Sequence, residues 1–224
     1  MIKAFVSWSG GKECNLSYYK AMQDKNVEVM CLLNMVTEDG RHSRTHGISS
    51  SLLRLQAEAI GIPIMQRNCR WDNYEEEFKK AVSILKKDGI KTGVFGDIDI
   101  EEHRTWVERV CKDMKIKPLF PLWQKKREDV IREFISSGFK ALIVAVKASV
   151  LDKEWIGHKI NKELIRKLKS LTSVDVCGEN GEYHSFVVSG PIFKKRIEIR
   201  NTDKIKKGKS WLLSIKKYEL ADKK

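Results

Sequence analysis

Two short stretches of this 224-residue chain carry residue types at spacings that can do chemistry. The first is Ser9-Gly10-Gly11-Lys12-Glu13-Cys14, which follows the apolar run that starts at Ile2. A strand feeding a glycine turn and a helix start gathers backbone N–H groups at the positive end of the helix dipole, which suits an anion. Gly10 and Gly11 let phosphate oxygens come close to the backbone. Lys12 adds a point charge and Ser9 a hydroxyl donor. Neither G-x-x-x-x-G-K-[ST] nor G-x-G-x-x-G is present, so the loop is not a Walker A loop or a dinucleotide fingerprint. A plain strand-to-helix turn that needs glycine is the chemistry-free alternative. The second stretch is CGENGEYHSFVVSGPIF, Cys177 to Phe193. Glu179, Glu182 and His184 lie within six residues, and Gly178 and Gly181 mark a tight turn that can draw them together. A carboxylate beside an imidazole can orient and deprotonate an attacking amine. A bound metal would need further ligands, and no matching set stands elsewhere, so no metal ligands are assigned. An unreactive polar turn is the other alternative.

The elements that must position these residues follow from hydrophobic periodicity. IKAFVSW, VEVMCLLNMV, IPIMQR and TGVFGDI read as buried strands. Helical spacing marks Leu52/Leu55/Ala59/Ile60, Phe78/Ala81/Val82/Leu85 and Trp106/Val107/Val110/Cys111/Met114, and a helix is expected from about Lys12 to Lys25. Alternating strand and helix imply a mostly parallel sheet with right-handed crossovers. After PLFPLW the pattern restarts, with helices near Glu128–Ser137 and Asn161–Leu171 around the strand ALIVAV. SFVVSG, RIEIR and WLLSIKKY then read as antiparallel strands. The expected fold class is α/β: an N-terminal Rossmann-like domain, 1–121, and a smaller α+β C-terminal domain, 122–224. Gly96 and Asp97 fall at the end of a strand, where ligands of open α/β sheets bind. Asp97 is a Mg²⁺ or ribose partner on one reading and a helix N-cap on the other. Arg104 opens the next helix and is a candidate for phosphate or substrate. Trp123 and Trp155 read as core.

Composition excludes several classes. No apolar stretch approaches the roughly 20 residues of a membrane span, and the first residues are strand-length apolar rather than a signal peptide. Five scattered cysteines without C-x-x-C argue for reduced thiols and a cytoplasmic protein. The net charge is +13, with +8 of it between Pro191 and Lys224. That basic end suits RNA or an acidic protein face, or simply a lysine-rich surface.

The opening loop resembles the PP-loop of the ATP pyrophosphatases (adenine nucleotide alpha hydrolase-like), whose usual form is S-G-G-x-D-S. Here Glu13 keeps the carboxylate one methylene further out. Cys14 replaces a hydroxyl, as a small-residue replacement or, on a sharper reading, a persulfide carrier. Together with EEHRTWVERVCKDM, PLFPLW, SGFKALIVAVKASVLDKEWIGHKI and the Cys177–Phe193 run, the chain resembles the diphthine–ammonia ligases of diphthamide synthesis over nearly its whole length. Those proteins usually carry threonine at position 185 and arginine at 158. The resemblance implies ATP and Mg²⁺ at Ser9, Gly10, Gly11, Lys12 and Glu13, and a nucleoside bordered by His46 and Gly47. Gly96, Asp97 and Arg104 lie nearby, and Glu179, Glu182 and His184 serve catalysis. It implies an acyl-adenylate of diphthine on elongation factor 2 and free ammonium as nitrogen source; a homodimer is the partner state that stays open. Two other classes stay open: a tRNA-modifying PP-loop enzyme and a non-catalytic adenine-nucleotide-binding protein.

Overall fold

A computed structural model describes residues 1–44 and 46–223. The chain forms two compact units: Met1–Ser9 with Glu13–Lys125, and Gly10–Lys12 with Lys126–Lys224.

The first unit is built on parallel strands β1 (Ile2–Ser7), β2 (Val27–Val36), β3 (Ile64–Asn68), β4 (Thr92–Val94) and β5 (Lys117–Leu119), in the order β3-β2-β1-β4-β5. Helices α1 (Lys12–Gln23), α2 (Ser50–Ile60), α3 (Tyr74–Lys87) and α4 (Glu101–Met114) make the crossovers. Strands buried on both faces need continuous apolar runs, which is why Cys31–Val36 of β2 lies wholly inside. The helices are one-sided: α3 buries Phe78, Ala81, Val82 and Leu85. Its first turn carries Glu75, Glu76 and Glu77 and its last Lys86 and Lys87, matching the helix dipole at both ends. Ser49 caps α2 by accepting the Leu52 N–H, and Gly61, at φ 81°, closes it. Phe5 meets Phe78 and Phe95 edge-on at 6.2 and 6.0 Å in the core. The chain runs outward from β1 through β2 to β3, then returns to the other side of β1 for β4. The order therefore reverses between β1 and β4, and the crevice at their carboxyl ends is the place where such sheets bind ligands.

The second unit holds an antiparallel sheet of β6 (Lys140–Lys147), β7 (Tyr183–Ser189), β8 (Lys195–Lys207) and β9 (Ser210–Asp222), ordered β7-β6-β9-β8. Helices α5 (Arg127–Ser136) and α6 (Lys162–Lys169) and a 3₁₀ turn at Lys153–Trp155 complete it. Val130, Ile131 and Phe134 of α5 and Leu164, Ile165 and Leu168 of α6 are the buried stripes.

The α/β class with an added α+β part is the architecture found. Two elements differ from the sequence expectation. Strand β5 was not anticipated: it is three residues long and contains Pro118, tolerated because β5 lies at the sheet edge. RIEIR is only the start of β8, which runs for 13 residues. From Asn201 onward β8 is exposed on both faces, so no apolar alternation marks it. No helix among the described residues is long and apolar enough to cross a membrane.

Candidate active site

Buried amides hold the backbone just ahead of the glycine loop. Trp8 donates its indole N–H to Gln56 Oε1 at 2.8 Å, and Asn34 Nδ2 donates to the Trp8 carbonyl at 2.8 Å. Asn34 Oδ1 accepts from Gln66 Nε2 at 3.2 Å. Burial pushes the Tyr18 phenol, edge-on to Trp8, up to about 12, so it stays neutral behind the loop. Gly10 takes φ 82°, a left-handed conformation that glycine adopts without a steric cost. Lys12 then starts α1 and is 4% exposed.

Inside the second unit, β7 holds this loop at three successive residues of one face. The Val187 N–H donates to the Gly10 carbonyl at 3.0 Å. The Lys12 N–H donates to Ser185 Oγ at 3.1 Å. The Lys12 ammonium lies 5.1 Å from the Tyr183 ring centroid, a cation–π contact. Ser9 donates to the Cys14 sulfur at 3.6 Å, and Cys14 is 4% exposed. A thiol so enclosed is a packed acceptor, which favours small-residue replacement over the persulfide reading.

Gly96 explains itself by space. A Cβ there would lie 3.1 Å from Cys14 N, Glu13 C and Glu13 Cβ, tighter than ordinary contact, so glycine lets the loop after β4 pack closely on the first turn of α1. Asp97 is not an N-cap, because Ile100 occupies that place on α4; its Oδ1 is 3.4 Å from His103 Nδ1. Arg104 bonds Glu108 at 2.6 Å, and its guanidinium lies 4.7 Å from the Trp123 ring centroid and 5.6 Å from that of Phe120. Trp123 is half-buried rather than core, and its indole nitrogen is buried without a hydrogen-bond partner among the described residues. His46 is half-buried and Gly47 takes φ 67°, in a loop tied down by Ser43 Oγ, which accepts from Asn34 at 3.4 Å.

The acidic turn is held by its own hydrogen bonds. Glu182 is 4% exposed, and its carboxylate accepts from Asp175 N (2.9 Å), Asn180 N (3.0 Å) and Asn180 Nδ2 (3.2 Å). Asp175 in turn accepts from Cys177 N (3.2 Å), Glu179 N (2.8 Å) and Arg127 Nη1 (3.2 Å). Gly178, at φ 71°, faces Tyr183 so closely that a Cβ would lie 2.8 Å from its carbonyl. Both carboxylates are thus spent on shaping the turn. Side chains alternate along a strand, so His184 points away from the face that carries Tyr183 and Ser185 to Lys12. Glu182 thus gives its carboxylate to N–H groups of its own turn, a use that the sequence did not announce. Among the described residues no three His, Cys, Asp or Glu gather as a metal site would require. Sequence reasoning missed Asp175, Arg127, Tyr183, Ser185, Asn34 and Gln56. The alternation of YHSFVVS puts Tyr183 and Ser185 on one face but does not say what that face meets.

The diphthamide synthase N-terminal domain profile matches residues 2–118, and its C-terminal domain profile matches residues 126–221. Human diphthine–ammonia ligase is 31% identical over 221 residues, covering 87% of this chain and 82% of that protein. The mouse protein of the same name is 30% identical, covering 88% and 82%. The Schizosaccharomyces pombe one is 29% identical over 88% of this chain but only 35% of its own length. Among solved structures, a predicted subunit of tRNA methyltransferase from Methanocaldococcus jannaschii aligns with a TM-score of 0.45 at 13% identity, covering 85% of this chain and 98% of that one. On the match of both domain profiles and of a relative 31% identical across most of its length, the chain belongs to the diphthamide synthase family.

Proposed function

We propose that this ligase amidates the carboxylate of diphthine on elongation factor 2 to give diphthamide, with ammonium as nitrogen donor and ATP split to AMP and pyrophosphate. The observation that carries the reading is the Ser9–Lys12 loop, left-handed at Gly10 and opening α1 at the β1/β4 reversal, in a chain of this family. The residues present fit a nucleotide's phosphates: glycine where the backbone must be approached, first-turn amides, and a buried ammonium. Mg²⁺, carried by the phosphates, would supply charge neutralisation, with Asp97 the carboxylate for it.

A carboxylate resists ammonia until one of its oxygens becomes part of a leaving group. A diphthine carboxylate oxygen attacks the α-phosphorus, and the bond to the pyrophosphate oxygen breaks. Ammonia then adds to the acyl carbon, loses a proton, and AMP leaves with the bonding pair. The loop amides and Lys12 offset the charge that builds on the phosphates. Glu179, half-buried on the acidic turn, is the carboxylate we assign to receive the ammonia proton. Glu182 and Asp175 are positioning residues that hold this turn. Residues 1–121 form the nucleotide domain in this reading and 122–224 the substrate-side domain, in a cytoplasmic enzyme. Gly96 and Arg104 border the phosphates, and His46 and Gly47 the nucleoside.

The experiment supplies diphthine-bearing elongation factor 2, ATP, Mg²⁺ and ammonium, and follows AMP together with the carboxyl-to-amide mass change. Lys12→Ala should lower ATP affinity and AMP release at least about tenfold, the order expected for losing a charged hydrogen-bonding group. ADP as product, unchanged turnover in Lys12→Ala, or ATP-dependent change in tRNA with the factor untouched would each sink the reading.

A further inference from the structure

Ser185 brings to the loop something that neither the glycines nor Lys12 provide. It is 1% exposed on β7, and its oxygen accepts the Lys12 N–H at 3.1 Å. That amide is one of the first of α1, whose N–H groups have no acceptor within the helix and are the natural partners of a bound anion. A serine hydroxyl that accepts one hydrogen bond still has a proton to give. No acceptor for that proton stands among the described residues, although a buried donor left unsatisfied is costly. The position is also stiffly held. The residues two before and two after it on the same face bind the Lys12 ammonium and the Gly10 carbonyl.

We infer that Ser185 is a phosphate-binding residue: its hydroxyl donates to an oxygen of the polyphosphate bound at the glycine loop. The ligand class is a nucleoside triphosphate or its pyrophosphate fragment. The inference rests on the nucleotide reading above. A hydroxyl that served only as a cap for the Lys12 amide would affect folding and be indifferent to ligand. A residue that merely blocked that amide would tighten binding when removed.

The test uses the full chain with Ser185→Ala, Ser185→Thr and Ser185→Cys. Each is titrated calorimetrically with ATP and Mg²⁺ and, separately, with inorganic pyrophosphate, and each is checked by thermal melting. Ser185→Ala should weaken both ligands by about tenfold, or about 1.4 kcal/mol. Ser185→Thr, which keeps the hydroxyl, should stay within about twofold of wild type. Ser185→Cys keeps the volume but is a weak donor, so it should follow alanine and gives the answer even where alanine perturbs folding. Wild-type affinity or tighter in the alanine or cysteine protein, or a threonine protein as weak as alanine, overturns the inference. A wild type that binds ATP but releases no AMP would remove the ligase reading and leave Ser185 standing. Normal AMP release with affinities insensitive to Ser185→Ala would do the reverse, and a wild type that binds neither ligand would remove both.

Discussion

Replacing Glu182 by glutamine separates a residue that shapes the site from one that performs chemistry. The carboxylate takes three N–H donors, two on Oε1 and one on Oε2. Glutamine has one oxygen. If it takes the Oε1 place, its NH₂ group faces the Asn180 N–H, so one hydrogen bond is lost and two donors oppose each other. The site is 4% exposed, so solvent offers little relief. A hydrogen bond to a charged group contributes about 1.5–3 kcal/mol, which sets the loss near 2 kcal/mol for Glu182→Gln and above about 3 kcal/mol for Glu182→Ala. For a chain of this size each kcal/mol lowers Tm by about 2–4 °C, so the glutamine protein should melt about 4–8 °C below wild type. Thermal melts and urea midpoints give the stability, and AMP release well below Tm gives the turnover. A Glu182→Gln protein with wild-type Tm and a collapsed kcat would refute the argument, because its carboxylate would then touch the reacting atoms.

Gly96→Ala should cost about 1–3 kcal/mol, the range for forcing a methyl into a packed site, and should raise KM for ATP, since the clash is with backbone at Glu13 and Cys14; unchanged melting and KM would refute it. Hydrogen bonds from Arg109, then Lys79, hold the Glu75 carboxyl down at about 2 against an ordinary 4.5. A depressed folded value means that its stabilisation is complete above pH 4.5 and fades as pH falls toward 2. The gap in urea midpoint between wild type and Glu75→Gln should therefore close across that window, and a constant gap would count against it. Burial pushes the Cys31 thiol up to about 11 and the Cys111 thiol up to about 12, and all five cysteines are buried. A thiol-disulfide reagent at neutral pH should leave the native protein unlabelled and modify all five in denaturant; rapid native labelling would contradict this.

The parts of this architecture that are local in sequence were legible there. Ser9–Lys12 announces itself because strand, glycines and helix start are consecutive, and α3 because Phe78, Ala81, Val82 and Leu85 repeat with the helical period. The parts that depend on distant partners were not. Ser185 meets Lys12 across 173 residues, and nothing in YHSFVVS says which of its two faces turns toward the loop. Glu182 looked reactive because a side-chain inventory shows carboxylates and imidazoles but not the backbone N–H groups that consume them. Asn34 and Gln56 read as ordinary polar residues until Trp8 gives them a reason to be buried. Pro118 spoke against a strand, and only its place at the edge of the sheet removes the objection.

The pairing of Gly10–Lys12 with β7 also sets an order of events during synthesis. Ser185 leaves the ribosome 173 residues after Lys12, with Tyr183 and Val187 on either side of it. At about 5–20 residues per second, that interval lasts on the order of 10–30 s. Throughout it the parallel sheet can form, yet the Gly10 carbonyl and the Lys12 amide lack the contacts that Val187 and Ser185 supply. The glycine loop is therefore completed long after it is made. A nascent chain stalled before β7 would carry the glycines and the lysine without the contacts that hold them, and stalled chains released at increasing lengths should acquire ATP affinity only once β7 has emerged.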